Sequence, residues 1–152
     1  MSQERFDRYA KAAELYVQQG RYYRAADAFT LASMYRPHES RPYLGKSHAL
    51  LAAGEYAGSA LSLAKAVELD ARASLKRTDL IEVVGGPDLF VERISELEQI
   101  AGQNNAPDLQ FLLAYVYYQM NRPEQAKTAI EAARRGLPAS LAIDSLQMAI
   151  GR

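Results

Sequence analysis

Apolar residues along this chain fall at helical spacing in a series of short runs, each closed by glycine, asparagine or proline. Between Gln3 and Gln19, Phe6, Tyr9, Ala12, Ala13, Tyr16 and Val17 share one face, and Gly20 ends the run. A second helix is predicted from about Tyr22 to Tyr35, with Ala25, Ala28, Phe29, Ala32 and Ser33 inward and Pro37 beyond its end. Ser40, as an N-cap candidate, and Pro42 open a pair of helices, Tyr43 to Ala53 and Tyr56 to Leu69, that turn at Gly54. Further helical segments are predicted at about Arg72 to Val84 and Asp88 to Ala101. Pro107-Asp108 then starts a helix through Phe111, Leu113, Ala114 and Tyr117. The chain turns at Asn121-Arg122, restarts at Pro123 with Ala126, Ile130 and Ala133 inward, and ends this run before Pro138.

These runs repeat. Gly20, Ala25, Phe29, Ala32 and Pro37 recur 34 residues later as Gly54, Ser59, Leu63, Ala66 and Ala71, and 67 residues after that as Asn121, Ala126, Ile130, Ala133 and Pro138. The longer gap has room for one more unit. A period of this length predicts a stacked helical array, in which no unit can bury its apolar face without its neighbours. The expected organisation is one domain over residues 1–152, with units at about 6–39, 40–73, 74–106 and 107–140 and a terminal helix at about 139–150. The third unit is degenerate. Leu97 and Ile100 keep the register, but Arg93 stands where the other units have Ala25, Ser59 and Ala126, and the first helix looks short, ending at Gly85-Gly86-Pro87. A large cation at a small-residue position predicts a hairpin propped open or a side chain that snorkels to water, and a break in the regularity of the array.

The small, large, small and proline positions at these intervals resemble the tetratricopeptide repeat family over roughly Phe6 to Ser140. The resemblance implies an all-α, right-handed superhelical array of antiparallel hairpins, about four of them plus a C-terminal helix. It also implies a concave groove, lined by the first helix of each pair, that holds a segment of another protein. Carried over by position, the groove residues are Asp7, Glu14, Val17 and Gln18 from the first unit, Arg41, Leu44, His48 and Leu51 from the second, and Phe111, Tyr115 and Tyr118 from the fourth. Family members that clamp a terminal carboxylate use lysine, asparagine and arginine at such sites. Here Ala10, Glu14 and Gly45 replace the lysine and the two asparagines, so that clamp is absent and the groove suits an apolar or amphipathic segment.

Composition narrows the chemistry further. Lysine plus arginine and aspartate plus glutamate number 18 each, so the chain lacks the positive field that nucleic acid or anionic membranes require. There is no cysteine. His38 and His48 lie ten apart with no carboxylate cluster to complete a metal site, and Gly85-Gly86-Pro87-Asp88 lacks the lysine and hydroxyl sequel of a phosphate loop. No catalytic residue, cofactor or metal is therefore expected. With no leader pattern and no 18-residue apolar run, the chain reads as a cytoplasmic protein with no membrane partner.

Apolar residues of the terminal helix, Leu141, Ile143, Leu146, Met148 and Ile150 among them, cover more than half of its wheel. A helix that only caps an array needs one polar side, so this one is expected to contact something besides the fourth unit. The functional expectation is a non-enzymatic protein-interaction module, acting as a scaffold or a chaperone-like adaptor. The alternative is self-assembly into a homo-oligomer through the array ends and the terminal helix.

Overall fold

The computed structural model describes residues 2–152, and its described residues form ten α-helices and no strand. They are α1 (Ser2–Gln18), α2 (Tyr22–Tyr35), α3 (Arg41–Ala53), α4 (Tyr56–Leu69), α5 (Ala71–Ser74), α6 (Leu80–Val83), α7 (Pro87–Asn104), α8 (Pro107–Gln119), α9 (Pro123–Gly136) and α10 (Leu141–Ile150). This is the all-α array of helical repeats that the periodicity predicts. The repeat is visible in the backbone itself. Gly20, Gly54 and Asn121 all adopt positive φ, at 73°, 80° and 58°, and each lets the next residue's N–H reach back five residues to the preceding helix. Those bonds run from Arg21 to Tyr16, Glu55 to Leu50 and Arg122 to Tyr117, at 2.8, 2.8 and 2.9 Å. Glycine and asparagine tolerate this left-handed turn, which closes the C-terminal end of a helix and reverses the chain.

The inner faces pack as the spacing requires. Ala25, Phe29 and Ala32, then Ser59, Leu63 and Ala66, then Ala126, Ile130 and Ala133 are all buried. Small residues let the paired helices approach closely, and the larger residue fills the space one turn away. At one equivalent pair of positions the first and last hairpins have Ala13 with Ala25 and Ala114 with Ala126, whereas the second has Ser47 with Ser59. These hydroxyls cross-bond: Ser47 Oγ donates to the Ser59 carbonyl and Ser59 Oγ to the Ser47 carbonyl, both at 2.8 Å. Each acceptor is a main-chain carbonyl that alanine keeps, so either single change to alanine removes one bond and leaves the other, at a cost of about 1 kcal/mol, and the double variant should lose about the sum. Urea unfolding of the two single variants and the double variant would check this additivity.

Ser40 does not cap. It adopts helical angles, is buried, and makes no side-chain bond to the first turn, so α3 is started by backbone bonding and Pro42. Side-chain caps occur instead at Asp70, Asp79 and Ser140, which start α5, α6 and α10.

The third unit departs furthest from the pattern, for a physical reason. Its expected first helix, 72–84, is two four-residue helices separated by an irregular stretch. Its turn survives: Gly85 at φ 98° lets the Gly86 N–H bond the Ile81 carbonyl, as in the other units. With no full-length first helix to cover it, α4 packs against α8, and α7 packs on α8 and on the end of α3. Consequently α8 is enclosed, with every residue from Leu109 to Tyr117 buried except the half-buried Gln110. Arg93 does not prop the hairpin open. Its side chain is 20% exposed, and its Nε donates to the Ala52 carbonyl at 2.8 Å while Nη1 meets Glu96 at 3.0 Å. A guanidinium at the carbonyl end of α3 answers that helix's unpaired acceptors and its dipole.

Candidate binding surfaces

Four of the residues expected in the groove converge on one cavity between α1 and α3. Glu14, Arg41, Leu44 and His48 line a space of about 220 Å³ together with Phe6, Ala10, Phe29, Pro42 and Gly45. The local sequence makes this hollow. Gly45 has no side chain where a Cβ would strike the Phe29 ring, so that ring lies directly on the α3 backbone. Phe6 on α1 is buried, and the Arg41 guanidinium lies 5.6 Å from its ring centre while its Nε meets Glu39 at 2.9 Å. Glu14 stands exposed on the opposite wall. The hollow thus has an aromatic and aliphatic floor with one cation and one anion at its rim, a form suited to an apolar side chain of a peptide.

His48 closes the inner end. Its Nε2 lies 2.9 Å from the Tyr115 hydroxyl, and the two rings are offset-stacked with centres 6.0 Å apart. Burial drives the imidazole pKa down to about 4, so at neutral pH it is uncharged, and burial also raises that of the Tyr115 phenol.

The remaining expected groove residues lie elsewhere. Val17 is half-buried against the core shared by α1 to α3, and Asp7 and Gln18 are exposed. Leu51, Phe111 and Tyr115 are buried in the core that α7 and α8 complete, so they face protein rather than an open groove. Tyr118 is half-buried beneath Arg77, whose guanidinium carbon is 3.9 Å from the ring centre. It lines a second cavity, of about 620 Å³, with Met148 of the terminal helix, and a small neighbouring one with Ile150. The other terminal-helix residues divide: Ile143 and Leu146 are buried where α10 packs on α4 and α9, whereas Leu141 is 69% and Met148 64% exposed.

Phe6, Phe29 and Pro42 escaped sequence reasoning as cavity residues because their apolar spacing reads equally as core. Among the described residues, no three histidine, cysteine or acidic side chains are placed to hold a metal ion, and no helix is long and apolar enough to cross a membrane.

Residues 107–133, which are α8 and most of α9, match the family model for the tetratricopeptide repeat. No curated protein and no solved structure matches the chain.

Proposed function

We propose that this chain, a tetratricopeptide repeat protein, is a non-enzymatic interaction module that holds an apolar or amphipathic segment of another protein between α1 and α3. Repeats of this family are protein-interaction modules, and the convergence of Glu14, Arg41, Leu44 and His48 on one hollow carries the reading to a specific surface. An apolar anchor of the partner enters over Phe6 and Phe29, where it leaves water and displaces little of the rim. Arg41 and Glu14, on opposite walls, set the direction of the bound segment through charge. In this role the protein is a scaffold or chaperone-like adaptor that shields an apolar stretch of its client.

Ala10 gives the cleanest test. It is half-buried and lines the hollow, so Ala10→Phe fills the space with little demand on the core. A peptide library displayed on phage should yield binders sharing an apolar anchor. Ala10→Phe should weaken them by about a hundredfold, the worth of one well-seated anchor. Binders that ignore this substitution would place the functional surface elsewhere.

A further inference from the structure

The second cavity has a different character. Arg72 of α5, Arg152 beyond α10 and the ring of Tyr118 line it, with Ala71, Leu75, Ser145, Met148 and Ala149. Arg77, stacked on Tyr118 and donating from Nη1 to the Tyr118 carbonyl, lines the small neighbouring cavity that shares Tyr118. Among the described residues none of these three arginines forms an ion pair, so the cavity's guanidiniums have no side-chain carboxylate answering them. Two carboxylates on the flanking elements already have partners: Asp70 accepts from the Ala73 N–H at 3.0 Å to start α5, and Asp144 pairs with Arg134 at 2.5 Å. The final carbonyls of α10 are partly answered too, Gln147 by the Gly151 N–H and Ala149 by that of Arg152. Between the guanidiniums lies apolar surface, of which Leu75 is the buried floor and Met148 an exposed, adaptable wall.

A guanidinium with no ion-pair partner recognises a carboxylate through paired N–H donors, and a methionine and leucine wall recognises an aliphatic or aromatic side chain. We infer that this cavity is a second binding site, for a peptide segment in which an acidic residue sits within a turn of an apolar one. The zero net charge of the chain argues against a polyanion, which needs a positive field along an extended track. The site combines α5 and Leu75 after it with Tyr118 at the end of α8 and the terminal helix, parts of the chain that are separate in sequence. It is independent of the hollow between α1 and α3 and extends the partner's contact to the far end of the array.

The test uses an acetylated and amidated peptide that alternates glutamate with leucine and phenylalanine, its glutamine counterpart, and inorganic phosphate, each titrated calorimetrically into the full chain. The glutamate peptide should bind and weaken as salt is raised, and the glutamine peptide should bind about tenfold less well. Arg72 is exposed and supports no other group, so Arg72→Glu should lower affinity for the glutamate peptide about tenfold with an unchanged thermal midpoint. Adding Arg77→Glu should deepen the loss, and Arg72→Lys should restore part of it. Ala10→Phe should leave this binding intact, which separates the two sites. Equal binding of both peptides, no binding of either, indifference to Arg72→Glu, or phosphate binding as tightly as peptide would each overturn the inference.

Discussion

A chain ending at Pro138 is expected to lose most of its stability, because α10 is part of the core and not an appendage. Ile143 and Leu146 are fully buried, with Ala142 beside them, in contact with both α9 and α4. Burying each of the two larger side chains contributes about 1.5–3 kcal/mol, and removing the helix also returns the facing surfaces of α4 and α9 to water. The total is about 5 kcal/mol or more, comparable with the 5–15 kcal/mol that holds a typical domain together. The ion pair of Arg134 with Asp144 is half-exposed and adds little. Circular dichroism should show a large fall in the thermal midpoint, or no cooperative transition at all. Light scattering on the same samples separates this from the assembly reading. A full-length oligomer that became a folded monomer on truncation would make α10 an intermolecular element, whereas loss of folding makes it an internal one. Ile143→Ala, a milder change, should cost about 2–5 kcal/mol.

The excess apolar surface of that helix was legible in the sequence, but its destination was not. Spacing shows that Ile143 and Leu146 need cover; it cannot show that α4, some eighty residues earlier, supplies it. The same limit explains the groove. Glu14, Arg41, Leu44 and His48, at groove positions of the first two units, line one hollow because α1 to α4 stack as regular hairpins. Leu51, Phe111 and Tyr115 are separated from that surface because the missing first helix of the third unit lets α8 move in beside α4. The sequence did signal the defect, through Arg93 and the Gly85-Gly86-Pro87 stop. What it could not signal is that a defective unit redirects the helix that follows, since that is decided by which apolar faces remain uncovered. Arg72 in α5 and Arg77 in the irregular stretch after it carried no local signal; only the docking of α10 gives each a cavity to line.

The inner end of the α1–α3 hollow should also make the protein acid-sensitive in a specific way. His48 is held near pKa 4 by burial, against about 6.5 in an unfolded chain, so the folded state favours the neutral ring. Above pH 6.5 both states are neutral there and the folded state keeps its full stability. As pH falls from 6.5 toward 4 the unfolded chain takes up a proton that the folded one refuses, and stability is lost progressively; below 4 both are protonated and the loss levels off. The whole effect is on the order of 3 kcal/mol. Acid acts on other groups of a folded chain as well, so the informative quantity is a difference between variants. His48→Gln keeps a polar partner for the Tyr115 hydroxyl without a group that titrates. Urea unfolding at pH 7 and pH 4.5 should show wild type losing about 2 kcal/mol more than this variant over the interval. Parallel losses in the two proteins would mean that the folded state accommodates the imidazolium, through the opening of the hollow toward Glu14 and water.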